Sequence, residues 1–413
     1  MAMTEQISVE RFRFIPYRKH DILEMCLEDK RLQGQEERFR YLYRLLDCTF
    51  HYEFHQIVER MKDAYAGIDP DADTNHYGKD GADGNTQFFD LLESLLEKAN
   101  YERVTDEDLK QALTESSLFK IRLRVDFDDF DEMKLFYRGV SERQATVPGW
   151  MGFGSKTIDF INYDRVVLYI RFSEQHQREH AKHHLFRTGS SLLKMFRNVP
   201  KADLEMLFPN TSVRMRTLDT LLIGIPALGG GIAAVWKLTP AIFFLGSLLG
   251  YWLGTSEERP VVNNTMLVAF LVGLTALAGY LWKQFNSFKN RKLKFMQELT
   301  RNLYFRNMDN NAGVFYRIAN DAEEEECKEA LLAYYFLLVS GHPMTPSELD
   351  RGIERWMATG WNCEVDFEID DALQKLMRLE LVQEKNGLLT AVSVETAIRK
   401  LDERWDAIFS PAS

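Results

Sequence analysis

The sequence predicts an α+β protein with a helical and mixed α/β N-terminal domain, an apolar transmembrane hairpin block and a C-terminal winged-helix-like α+β domain. Three observations predict this. Apolar residues first recur at helical spacing and later alternate. The stretch from Leu218 to Trp282 carries only five charged residues, and the C-terminal tail alternates helical segments with one hairpin. The boundaries that follow are 1–217, 218–282 and 283–413.

The N-terminal part begins with helices and continues with strands. The segments RKHDILEMCL, EERFRYLYRLLDCTFHYEFHQIVERMKDAY and NTQFFDLLESLLEKANY place large apolar side chains three and four residues apart, which predicts three amphipathic helices. Alternation of apolar and polar residues in FKIRLRVDF, EMKLFYRG and DRVVLYIRF then predicts strands.

Composition restricts the partners and the compartment. The formal net charge of -11 disfavours nucleic acid, because affinity for phosphates comes mainly from basic residues. The four cysteines are far apart and form no C-x-x-C motif, which indicates a reducing compartment. The N-terminal stretch lacks the apolar region of a secretory signal.

The apolar block consists of three uncharged runs, Thr220–Trp236, Leu238–Ser256 and Pro260–Trp282. A helix of the third run would be long enough to span a hydrocarbon core of about 30 Å. The first run contains a glycine triplet, and small residues let membrane helices approach closely. The block is therefore predicted to cross a membrane, with two and three crossings both open.

Basic residues on both sides of the block favour an even number of crossings. Because basic flanks stay on the cytoplasmic side, both large domains are expected there. The same residues are predicted to lie at anionic lipid headgroups. They are Arg214, Arg216, Lys283, Lys289, Arg291, Lys292 and Lys294.

Several motifs resemble a known family. The stretches FIPYRKHDILEMCL, AYAGIDPDADT, YDRVVLYIRF and LLKMFRNVPKADLEMLFPNTSVRMRTLDTLLIGIPALGG resemble the membrane proteins that carry domain of unknown function 3754, a group that includes transmembrane protein 143. The resemblance covers nearly the whole chain. It implies an integral membrane protein with cytosolic or matrix-side domains, and it implies no reaction.

The C-terminal tail has the helix, helix, helix, hairpin order of a winged-helix domain. A capping box is predicted from Thr345 to Glu348, and a hairpin turn at Asn386-Gly387. The third helix of the tail, FEIDDALQKLMRLEL, has more acidic residues than basic ones at its start, and its basic residues are Lys375 and Arg378. A helix that reads a DNA groove has the reverse balance, so the tail is predicted to contact a protein partner and not nucleic acid.

One histidine cluster is the candidate metal site. His176, His180 and His184 are spaced four residues apart, so on a helix the three imidazoles would share one face, as a zinc site needs. The alternative is that these histidines bind no metal and are solvated side chains of a polar loop or short helix. The acidic stretches DPDADTNHYGKDGADGN and DFDDFDE, which imitate cation-binding loops, are better explained as solvated turns because neither register of the first fits a calcium loop.

These observations predict a multi-pass membrane protein that acts as a non-catalytic anchor, scaffold or sensor. No complete hydrolase or nucleotide-binding motif is present, and no cofactor is predicted. Two alternatives stay open: an oligomeric pore or transporter, and a membrane-bound enzyme that uses the histidine cluster. A homo-oligomer is compatible with the glycine-rich first run.

Overall fold

The computed structural model describes most of the 413 residues in two compact units. The described residues are 12–71, 73, 84–105, 107–109, 122–125, 127–148, 155–173, 190–214, 251–254 and 264–408. The first unit is formed by Met1–Glu115, Asp126–Leu204 and Arg306–Ser413, and the second by Ser116–Val125 and Glu205–Phe305.

Helices and strands both occur in the described chain. The helices are α1 Lys19–Glu28, α2 Glu36–Tyr65, α3 Gly84–Lys98, α4 Asn264–Arg306, α5 Ala312–Ser340, α6 Pro346–Trp361, α7 Ile369–Arg378 and α8 Val394–Ala407. The strands are β1 Glu102–Arg103, β2 Arg122–Arg124, β3 Phe130–Pro148, β4 Ser155–Phe172, β5 Ser191–Pro200, β6 Ser212–Arg214, β7 Asn307–Asn310, β8 Val382–Lys385 and β9 Leu388–Ala391.

The first unit contains a five-stranded antiparallel sheet of order β1-β3-β4-β5-β7. The central strand β4 is buried without a break from Val166 to Ile170, which explains why this stretch, VVLYI, is apolar without alternation. The edge strand β7 comes from a distant part of the chain and joins β5 antiparallel. In the second unit, β2 pairs with β6 antiparallel.

Helix α5 is the centre of the first unit. It packs against α1, α2 and α3 from the N-terminal part and against α6 and α7 from the C-terminal part. An aromatic cluster joins α2, α3 and α5, with Tyr65 and Phe315 edge to face at 5.7 Å and Phe88 beside both. Helices from both ends of the chain therefore share one hydrophobic core.

The predicted local signals of the C-terminal tail are confirmed. The Thr345 hydroxyl accepts from the Glu348 backbone N–H, and the Glu348 carboxylate accepts from the Thr345 backbone N–H at 2.9 Å, which completes the capping box. Asn386 and Gly387 turn the β8-β9 hairpin with φ of 55° and 76°, the left-handed pair that such a two-residue turn requires.

Within the described residues the predicted transmembrane block is wrong, and with it the multi-pass membrane class. In the described parts of the chain, no helix combines the length and the apolar character that a crossing needs. The physical reason is visible in α4, which begins only at Asn264 and is apolar from Met266 to Trp282. Those residues span about 26 Å of helix, less than the roughly 30 Å of a hydrocarbon core, and the same helix then continues into a basic half.

The other two runs of the block fall largely outside the described residues. Thr220–Trp236 lies outside them entirely, and only residues 251–254 of the second run are described.

Candidate functional site

The candidate site is built on an acidic segment of α5, which has the sequence DAEEEECKE from Asp321 to Glu329. A helix that is charged on all faces is ordinarily found in solvent. Here Glu325, Glu326 and Lys328 are at most 3% exposed. Buried charges persist only with partners, so the surrounding chain has to supply them.

The N-terminal segment FIPY supplies one set of partners through its backbone. Pro16 lacks an N–H and interrupts regular structure, which leaves the neighbouring backbone groups to be satisfied by side chains. The Ile15 N–H donates to Glu325 Oε2 at 3.1 Å. Lys328 Nζ donates to the Ile15 carbonyl at 2.7 Å and to the Tyr17 carbonyl at 3.0 Å. This segment is thereby fixed along α5.

Two arginines of the sheet supply a second set. Arg138 of β3 lies directly opposite Arg165 of β4, a cross-strand pair of like charges that is unfavourable unless it is bridged. Asp321 bridges it, accepting from Nη1 of Arg165 and lying 3.4 Å from Nη1 of Arg138. Nη2 of Arg138 donates to Glu325, and its guanidinium carbon lies 4.4 Å from the centre of the Phe14 ring.

These groups surround a cleft of about 470 Å³, here called the arginine cleft. Its walls are the Phe14–Arg18 segment, Arg138, Asp164, Arg165 and polar side chains of α5. Volumes of this size are typical of small-molecule sites. The arginine cleft therefore has the dimensions and the fixed polar groups of a binding site.

A glycine beside the cleft, Gly139, lets the Asp164 side chain of the cleft wall lie close to the backbone of β3. Gly139 has φ of +76°, and a Cβ there would lie 2.7 Å from Asp164 Oδ2. Asp164 is itself held by hydrogen bonds from Ser141 and Asn162, so it has little freedom to withdraw. Only glycine allows this carboxylate to approach the backbone.

We expect Gly139→Ala to lower the free energy of unfolding by about 1–3 kcal/mol, because it combines a left-handed backbone with a close contact to Asp164. Gly387→Ala is the matched control, since Gly387 also has φ of +76° but no atom within 4 Å of the added Cβ. Urea denaturation of both variants measures the difference. Equal losses would show that the contact with Asp164 has no effect.

A second group of charges joins α5 to α7 and α3. Lys375 Nζ lies 2.9 Å from Glu326, 2.7 Å from Glu329 and 2.7 Å from Asp371, and Lys98 binds Glu326 at 3.2 Å. We call these five residues the lysine cluster. It holds three carboxylates against two ammonium groups.

This cluster changes the ionisation of its members. Burial raises the pKa of Glu329 to about 7, against the opposing attraction of Lys375. Burial opposes the charge of Lys375 as well, but the three carboxylates outweigh it and raise the pKa of this ammonium group. Lys375 is thus an internal ion-pair partner, and its charge faces α5 instead of a nucleic-acid groove.

The predicted site residues fall mainly elsewhere. His176, His180 and His184 lie outside the described residues, as does Arg216, and the metal site stays a prediction. Among the residues that are described, no group of three or more His, Cys, Asp and Glu side chains is placed to hold a metal ion. Arg214 ends β6, and Lys283, Lys289, Arg291, Lys292 and Lys294 all lie on α4.

Helix α4 carries a second candidate surface. Many of its large apolar side chains are exposed in the second unit. They are Val268, Leu271, Val272, Trp282, Phe285, Leu293, Met296, Tyr304 and Phe305. The sequence of this helix contains seven basic residues and one acid, Glu298, in a chain whose net charge is negative.

Comparison with known proteins gives limited matches. A stretch of 95 residues, 22% of the chain, is 35% identical to "Putative transport protein YhhT" of Escherichia coli (strain K12), and the same values hold for the protein of that name in Escherichia coli O157:H7. The chain spans about a quarter of the length of these relatives, since the match covers 26% of each. No solved structure matches the chain. Residues 163–313, which begin within β4 and include β5 and α4, match the family model described as "Protein of unknown function (DUF3754)", so the chain carries a domain of unknown function of that kind.

Proposed function

We propose that this protein is a non-catalytic scaffold that attaches to an anionic lipid surface through α4. The observation that carries the proposal is the composition of this helix, whose exposed apolar side chains are combined with seven basic residues and a single acid. A helix of this kind lies in the headgroup region, with its apolar side chains at the acyl boundary and its basic side chains on anionic headgroups.

The strongest support for this attachment comes from the exposed aromatic residues in the middle of α4. Trp282 is 67% exposed and Phe285 59% exposed, and both are followed by lysines of the basic run. Tryptophan is enriched at membrane–water interfaces, where an amphipathic ring is stable. Each lysine near an anionic surface contributes about 1 kcal/mol. The apolar and basic contributions therefore come from neighbouring residues of the same helix.

Charge reversal on α4 tests the attachment. We expect Lys283→Glu, Lys289→Glu and Lys294→Glu together to weaken binding to vesicles of phosphatidylcholine and phosphatidylserine by at least about 100-fold, because three favourable contacts become repulsive. Cosedimentation measures it, and salt should weaken wild-type binding too. The control triple variant Lys62→Glu, Lys385→Glu and Lys400→Glu has the same net charge and changes lysines outside α4. Equal loss in both triples would contradict the role of α4.

We also propose a protein partner for the C-terminal helices and a cytoplasmic location. A protein partner at α6–α8 is supported by the burial of Lys375, which removes positive charge from the surface of α7 and disfavours nucleic acid there. The shared core of the N-terminal and C-terminal helices supports a location of both parts on the same side of the lipid surface, which we propose is the cytoplasmic side. Self-association is tested by light scattering of the purified chain.

A role in transport is the second candidate function. It is supported by the 35% identity to a protein named as a putative transport protein over 95 residues. Reconstituted protein that raises solute flux across liposomes above that of protein-free liposomes would favour this candidate. Vesicle binding without flux would favour the scaffold.

A further inference from the structure

We propose that α4 recognises a lipid headgroup that carries a phosphomonoester, the class of phosphatidic acid and the phosphorylated inositol lipids. This inference rests on the attachment of α4 to an anionic surface proposed above, and it names the lipid. The starting point is a groove of about 590 Å³ along the middle of α4. Its described lining residues are Trp282, Lys283, Asn286, Ser287, Asn290 and Lys294.

Four polar residues of the groove form one stripe along α4, at steps of three, four and four residues. They are Lys283, Asn286, Asn290 and Lys294. Residues at these steps lie on one face of a helix, with an axial rise of about 4.5–6 Å from one to the next. Each lysine supplies an ammonium group, and each asparagine supplies an amide that can donate. The stripe is therefore a row of hydrogen-bond donors with a positive charge at each end.

The charges of this stretch favour a headgroup that has no ammonium group. No acidic residue occurs in the sequence from Lys283 to Gln297, and none of the described lining residues is acidic. The ammonium group of phosphatidylserine would meet two lysines and no carboxylate here, so it would be repelled. A phosphomonoester carries up to two negative charges and three oxygens that accept hydrogen bonds. It therefore matches a row of ammonium and amide donors better than phosphatidylserine does.

The neighbouring face of α4 favours a lipid over a soluble phosphate. Four large apolar residues of this stretch are between 40% and 67% exposed, and they are Trp282, Phe285, Leu293 and Met296. At about 100° of rotation per residue, their directions lie beside those of the polar stripe. Such side chains are stabilised at the acyl boundary of a membrane, which a soluble phosphate does not provide. One lipid layer would cover both stripes at once.

Cosedimentation of the full chain with phosphatidylcholine vesicles tests the choice of headgroup. The vesicles contain phosphatidic acid, phosphatidylglycerol or phosphatidylserine and are matched in zeta potential. We expect phosphatidic acid to be bound at least about 5-fold more tightly than the other two lipids, because its phosphomonoester uses more donors of the stripe. Soluble glycerol phosphate should not compete, because it leaves the apolar residues in water.

Asn286→Ala with Asn290→Ala tests the stripe without a change of charge. We expect this double variant to lose most of the preference for phosphatidic acid, since the amides are removed and both lysines stay. Alanine favours a helix more than asparagine does, so α4 should remain folded. Gln297→Ala with Thr300→Ala is the control and should bind as wild type does. It changes two exposed neutral residues of α4 that follow the groove.

The other outcomes separate this inference from the attachment itself. Equal binding to all three vesicle types would overturn the headgroup preference and leave the attachment through α4 in place. Binding to none of them would overturn both. Phosphatidylglycerol as effective as phosphatidic acid, or an equal loss in both double variants, would overturn recognition of a phosphomonoester by the amides. Competition by glycerol phosphate would assign the groove to a soluble phosphate and overturn a lipid as its ligand.

Discussion

Lys375→Met is expected to lower the free energy of unfolding by about 3–5 kcal/mol at pH 8. Lys375 is 4% exposed and binds Glu326, Glu329 and Asp371 at 2.7–2.9 Å. Methionine keeps the length and the apolar stem but removes the ammonium group. Of the two nearly fully buried carboxylates, Glu326 then keeps Lys98 and Glu329 keeps only the Asn100 amide as a side-chain partner among those described. Removal of one partner of a buried ion pair is far more costly than removal of the whole pair.

The control for this variant is Lys400→Met. Lys400 pairs with Glu380, whose side chain is 73% exposed, so the loss should be far smaller than for Lys375→Met. Urea denaturation of both variants gives the comparison. The double variant Lys375→Met with Glu329→Gln should recover part of the stability, because it removes one of the uncompensated charges. Equal losses for Lys375→Met and Lys400→Met would show that the lysine cluster is not a buried ion-pair group.

Much of the secondary structure could be predicted because it depends on local signals. The spacing of Phe39, Leu42, Leu46 and Phe50 fixes one face of α2, and all four are buried in the structure. Capping at Thr345 and the turn at Asn386 depend on adjacent residues only. Such signals act within a few residues, and the sequence contains all of them.

The candidate site could not be predicted in the same way. The five glutamates of DAEEEECKE have the composition of a solvated helix surface, and nothing nearby in sequence shows that partners from α1, α3, α7 and the sheet will surround them. Arg138 and Arg165 are 27 residues apart, and only strand register places them opposite each other. The one local sign is that this acidic run lies between two apolar stretches of the same helix.

The error over α4 has a related cause. A stretch of uncharged residues is typical of a membrane span, but the apolar part of α4 shares one continuous helix with the basic run. Helix bounds depend on where backbone hydrogen bonding begins, which a count of uncharged residues does not contain.

Stability should fall with rising pH between about 4.5 and 7 because of Glu329. The folded protein keeps this proton up to a pKa of about 7, whereas the unfolded chain releases it near the ordinary value of 4.5. Unfolding in this window therefore releases a proton, and rising pH favours the unfolded state. The difference corresponds to about 3 kcal/mol, and the loss is complete above the folded pKa.

Glu329→Gln isolates this contribution from the other ionisable groups. Glutamine resembles the protonated acid, so the variant and the wild type should be similarly stable near pH 4.5, and the variant should be more stable by up to about 3 kcal/mol at pH 8. Glu384→Gln, at an exposed position of β8, is the control for the effect of the substitution itself. Denaturation at several pH values measures both. A gap that stays constant with pH would mean that Glu329 is ionised throughout, and that Lys375 compensates its burial fully. Lys375 faces three carboxylates and Lys98 contacts only one of them, which leaves excess negative charge in the lysine cluster, and burial raises the pKa of Glu329 so that this residue takes up the proton.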